Sequence, residues 1–113
     1  MRRAWGAFFQ DFDVLLCPAL ATQALPHRQD GDTWERRLTV DGIDVAYNDL
    51  LFWPGITCAF HLPATVAPVA QSKAGLPIGV QIAGRLYGDL TTIAVAGMLE
   101  AAFGGFRAPA GWE

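Results

Sequence analysis

Two short runs place β-branched residues in alternation: Pro63-Ala64-Thr65-Val66-Ala67-Pro68-Val69 and Leu76-Pro77-Ile78-Gly79-Val80-Gln81-Ile82-Ala83. Only the turn from Gln71 to Gly75 separates them, so they form two adjacent strands. Pro63 and Pro77 fall near strand starts, where a missing amide hydrogen costs least. Whatever else this chain folds into, it must accommodate that pair within 113 residues. A chain of this length makes a single unit, residues 1–113, with one core of modest size.

The flanking segments add helices. Trp5, Phe8, Phe9 and Phe12 recur at spacings of three and four, which predicts a short helix over residues 2–12 with one apolar face. Asp13 to Cys17 is almost wholly apolar and is closed by Pro18, a pattern that suits a strand buried on both faces. Residues 19–35 have no sustained period and contain Pro26 and Gly31, so they form a long surface loop, of a length uncommon unless the loop has a task. Arg37-Leu38-Thr39-Val40 and Ile43-Asp44-Val45-Ala46 flank Asp41-Gly42, which tolerates the positive φ angles of a tight hairpin turn. Tyr47 to Trp53 suits a helix capped by Asn48 or Asp49 and stopped by Pro54-Gly55. From Asp89 to Phe103 apolar residues cover much of a helix's circumference, which predicts a well-buried helix with Asp89 as its N-cap and Gly104-Gly105 as its stop. This order of elements argues for an α/β arrangement.

Hydrophobic residues make up 52% of the chain and charged residues 17%, which leaves too little polar cover for so small a unit and implies exposed apolar surface. The net charge of −3 is scattered and offers no basic field for nucleic acid or an anionic membrane. Met1-Arg2-Arg3 leads into apolar residues as a signal peptide does, but Asp11 and Asp13 interrupt that run. No stretch is long enough to span a bilayer, and the expected location is the cytoplasm. Cys17 and Cys58 are expected to be reduced and buried.

Residues capable of chemistry are sparse. Ser72 and Lys73 are the sole serine and lysine. They are adjacent in a turn, with nothing nearby to complete an oxyanion hole or orient a base. His27 and His61 lack partners at metal-ligand spacing, and no metal site or cofactor is expected. Cys58 and His61 lie three apart, but a buried thiol beside a partly exposed imidazole is the favoured reading. Gly75, Gly79, Gly84 and Gly88 make no phosphate loop and read as turn and close-packing positions. Phe52, Trp53 and Phe60 surround Pro54-Gly55-Ile56-Thr57. They are either hydrophobic core or, with the Thr57 hydroxyl, the wall of an apolar pocket, which makes Phe52, Trp53, Thr57 and Phe60 the candidate substrate-binding residues.

Five segments carry a family resemblance. Phe12-Asp13-Val14-Leu15-Leu16-Cys17-Pro18 resembles the aromatic-Asp-x-Leu-Leu-x-Pro strand of amidase-signature hydrolases, and Leu62-Pro63-Ala64-Thr65-Val66 resembles their later Pro-Ala stretch. Gly75-Leu76-Pro77-Ile78-Gly79-Val80-Gln81-Ile82-Ala83-Gly84 is similar to their Gly-Leu-Pro-x-Gly-x-Gln segment. Asp89 to Glu100 looks like their closing helix, and Phe106 to Trp112 like their proline-bearing tail.

The resemblance implies the C-terminal part of the amidase-signature fold, a mixed sheet fragment with flanking helices. It also implies hydrolysis of a carboxamide C–N bond through a serine acyl-enzyme, with a second serine and a lysine relaying protons. That relay lies upstream in the family, and one serine cannot supply two. No catalytic residue is carried over, and the isolated chain is expected to be inactive. A small amide substrate would be bound only together with the N-terminal part, with the segment from Tyr47 to Phe60 as pocket wall. The alternative is a stand-alone, non-catalytic amidase-like domain acting by association. Under either reading the apolar surface is expected to be covered by self-association, most simply as a two-fold dimer.

Overall fold

A computed structural model describes residues 2–109 and 111–112; Met1, Ala110 within the expected tail, and Glu113 lie outside the described residues. Helix α1 (Arg2–Asp11) leads into strand β1 (Val14–Pro18), and residues 19–35 contain neither helix nor strand. A hairpin of β2 (Arg37–Val40) and β3 (Ile43–Ala46) follows, then a 3-10 turn (Tyr47–Leu51) running into α2 (Phe52–Phe60). Strands β4 (Ala64–Gln71) and β5 (Pro77–Gly84) precede the closing helix α3 (Asp89–Phe103).

The three-stranded sheet has the order β1-β5-β4 with both pairings antiparallel, and β2 and β3 form a separate two-stranded sheet. This is the helix-flanked α/β arrangement expected. The hairpin forms where Asp41-Gly42 places it, with φ of 51° and 81° at the two turn residues. Both angles are positive, as a tight two-residue turn between twisted strands requires.

Strand β5 is the centre of the core. Ile82 and Ala83 are fully buried, and Ala67, Cys17 and Gln81 close around them. The glycine spacing has a steric cause. A Cβ on Gly79 would lie 2.9 Å from Val66 Cγ1, and one on Gly84 would lie 2.7 Å from Thr92 Cγ2. Gly84 thereby lets α3 settle onto the sheet, where Thr92 is buried and shares a 2.9 Å hydroxyl contact with Thr65. Pro68 is tolerated inside β4 because that strand lies at the sheet edge and its pairing with β5 is irregular between Pro68 and Ala70.

Several expectations are corrected. Strand β1 is not buried on both faces: Leu16 is half-exposed and only Cys17 is enclosed, because β1 is an edge strand and α3 packs on β4 and β5. Pro54-Gly55 does not stop a helix. It sits in the first turn of α2, where backbone N–H groups have no intrahelical acceptor and a proline sacrifices nothing. The helix runs on to Phe60 and ends at His61, which takes the left-handed conformation at φ 55°. Neither Asn48 nor Asp49 caps a helix, since the 3-10 turn starts after Ala46 without a side-chain cap.

Helix α3 stops at Gly104 as expected, but Asp89 is its first residue and Gly88 precedes it without a side-chain cap. It is also not well buried. Only Thr92 is enclosed, while Leu90, Ile93 and Met98 are 82%, 56% and 69% exposed. A sheet of three strands covers one side of such a helix and leaves the opposite apolar side uncovered. Both cysteines are free, but Cys58 is exposed rather than buried.

Candidate functional site

Helix α2 meets the sheet through a small buried polar network. Gln81 projects from β5, and its side-chain Nε2 donates to Cys17 Sγ and to the Trp53 carbonyl, each at 3.2 Å. Those contacts use both amide hydrogens. The Thr57 hydroxyl lies 3.0 Å from the Pro54 carbonyl and 3.5 Å from Gln81 Oε1. A hydroxyl has one proton, so the shorter contact takes most of it. The network ties Trp53 and Thr57 to the sheet and leaves no unpartnered buried side-chain polar atom among the described residues.

The four candidate substrate-binding residues occupy three environments. Phe52 is exposed and meets the half-buried Trp53 edge to face, with ring centroids 5.2 Å apart. Thr57 is buried against Gln81. Phe60 turns toward α1, its ring 6.1 Å from that of Trp5. Trp53, Thr57 and Phe60 share a helical face, but the face is long enough to meet the sheet at one end and α1 at the other. Of the four, Phe60 lines the smaller of the two clefts described below, and none lines the larger.

The larger cleft, about 1070 Å³, lies between the loop 18–29, the hairpin and the start of β5. It includes Tyr47, His27 and Thr39 and was not anticipated; the only sign of it was the unusual length of the loop 19–35. A smaller cleft of about 330 Å³ lies between α1, the end of α2 and the residues that follow β5. Gln81 was also missed as a structural centre, although it stands within the Gly75–Gly84 motif.

No nucleophile is assembled among the described residues. Ser72 Oγ accepts the Leu76 amide hydrogen at 3.1 Å and thereby serves the β4–β5 turn. Cys58 and His61 are linked only through backbone, His61 N–H to the Cys58 carbonyl at 3.3 Å. No group of three or more His, Cys, Asp or Glu side chains could hold a metal among the described residues. No described helix is long and apolar enough to cross a membrane.

An antiparallel β4–β5 pair flanked by helices, with Gly-Leu-Pro-Ile-Gly-Val-Gln leading into the buried centre of β5, defines an α/β arrangement consistent with the C-terminal part of the amidase fold. The Amidase family model matches residues 1–93, and the chain belongs to that family. It is 32% identical over 100 residues to an acylamidase of Rhodococcus erythropolis, a match that covers 86% of this chain and 20% of the relative. It is 32% identical over 105 residues to a glutamyl-tRNA(Gln) amidotransferase subunit of Beijerinckia indica, covering 93% of this chain and 20% of the relative. With a mitochondrial glutamyl-tRNA(Gln) amidotransferase subunit of Rattus norvegicus it shares 36% identity over 95 residues, or 84% of this chain and 17% of that protein. The chain spans about a fifth of the length of the curated relatives it matches.

Proposed function

We propose that this chain is the C-terminal portion of an amidase-signature hydrolase that cleaves a carboxamide C–N bond, and that by itself it is inactive. The observation that carries the reading is the fate of its one serine: Ser72 Oγ is engaged in a turn and makes no hydrogen bond to a basic side chain among the described residues. The family membership and the fifth of the relatives' length that the chain spans support the rest. In this reading Phe52, Trp53, Thr57 and Phe60 form part of the substrate wall once the remaining polypeptide is present, and the substrate is a small amide. The experiment is an assay of the pure 113-residue chain against simple aliphatic and aryl amides. Turnover stays at the uncatalysed level; turnover that disappears in Ser72→Ala overturns the reading.

The exposed side of α3 favours a second reading, a stand-alone amidase-like domain that acts by association. Leu90, Ile93 and Met98 present apolar surface that something must cover, and in the isolated chain two copies meet through it about a two-fold axis. The two free cysteines support a cytoplasmic protein.

A further inference from the structure

In the smaller cleft Phe60, a substrate-wall residue of the first reading, stands among residues that neither reading uses. Trp5 and Phe9, one helical turn apart on α1, stack with ring centroids 5.9 Å apart and an interplanar angle of 25°. Phe60 closes the third side, tilted 45° to Trp5. All three rings are half-buried, so they wall an open space and do not form a closed core. The space, about 330 Å³, reaches the size range of small-molecule sites.

Two guanidinium-bearing residues, Arg2 and Arg85, line the same cleft. The ion pairs among the described residues use Arg28 and Arg37, and no hydrogen bond among them engages the Arg2 or Arg85 side chain. A chain of net charge −3 thus places beside one aromatic cavity two arginines with no ion-pair partner among the described residues. A guanidinium holds a carboxylate or phosphate through paired N–H donors, and aromatic walls hold an apolar body.

We propose that this cleft binds a small amphipathic anion, with its aryl or alkyl body against Trp5, Phe9 and Phe60 and its anionic head at Arg2 and Arg85. The proposal does not depend on amide hydrolysis. Gly6 supplies a clean means of blocking the cleft. It lines the space, and a Cβ built there meets nothing within 4 Å, so a larger side chain is added beside the cleft without a clash at its Cβ.

The test is calorimetric titration of the full 113-residue chain with 4-phenylbutyrate, set against the neutral 4-phenylbutan-1-ol. The acid binds saturably at one site per chain, and the alcohol binds about tenfold more weakly. Arg2→Gln and Arg85→Gln each weaken the acid by about the same factor. Gly6→Leu abolishes binding with its far-ultraviolet circular dichroism retained. Absence of saturation in the millimolar range, an alcohol that binds as well as the acid, or a folded Gly6→Leu variant that still binds would each overturn the proposal.

Discussion

Gln81 and Cys17 stand directly opposite each other in the β5–β1 register, and the Gln81 amide donates across the strands to the cysteine sulfur at 3.2 Å. The other amide hydrogen reaches the Trp53 carbonyl on α2. One side chain therefore joins the edge strand, the central strand and the helix. Gln81→Met, similar in length but without donors, loses both buried hydrogen bonds that the Gln81 amide makes and costs about 1–3 kcal/mol. Gln81→Glu costs more, because it turns a carboxylate toward that carbonyl in a buried position. Cys17→Ala removes only a weak acceptor and a small volume, and its cost is the least of the three. Urea denaturation midpoints for the three variants check the order.

Gly84 and Thr92 set the distance between the sheet and α3. With a Cβ at Gly84 only 2.7 Å from Thr92 Cγ2, Gly84→Ala forces the helix outward and destabilises the chain by about 1–3 kcal/mol. Thr92→Ser removes the clashing methyl and keeps the hydroxyl that meets Thr65 and the Asp89 carbonyl. The double variant recovers part of the loss, so the two changes are non-additive. A double-mutant cycle of thermal or urea unfolding measures this coupling.

The outer side of α3 should report on association. Ile93→Glu with Met98→Glu places two charges where 56% and 69% exposed apolar side chains now stand. Away from buried contacts such changes alter monomer stability by only about 0.5 kcal/mol. The wild-type chain sediments as a dimer and the double variant as a monomer. A wild-type chain that is monomeric at every concentration in light scattering would contradict the two-fold contact.

What the sequence made legible was local. Asp41-Gly42 fixes its hairpin through the φ angles of two residues, and the β4–β5 pair follows from a short turn and β-branched alternation; neither needs knowledge of distant residues. Pro54 was ambiguous for a local reason. A proline that ends one helix and a proline in the first turn of the next look alike in sequence, and Thr57 docking on Gln81 decides between them. The burial of α3 was illegible because apolar circumference measures what a helix could bury and says nothing of whether a neighbour is there. The candidate site was legible in part. Phe52, Trp53, Thr57 and Phe60 do share α2, yet Phe60 is drawn away by Trp5, a residue from the other end of the chain whose approach no spacing encodes.

Ser72 provides a prediction that separates structure from catalysis. Its Oγ accepts the Leu76 N–H at 3.1 Å, while its own N–H donates to the Leu76 carbonyl at 2.8 Å, so side chain and backbone together clamp the turn that sets the β4–β5 register. Ser72→Ala keeps the backbone bond and loses the side-chain one. Because the contact is solvent-exposed, water replaces the lost acceptor and the cost is about 0.5–1.5 kcal/mol. Ser72→Thr retains the acceptor and stays near wild type, whereas Ser72→Gly adds chain entropy in the unfolded state and falls below alanine. Differential scanning calorimetry of the three variants gives the order Thr, Ala, Gly from most to least stable. A serine whose work is to hold a turn shows that ranking in stability and leaves amide turnover at background in all three.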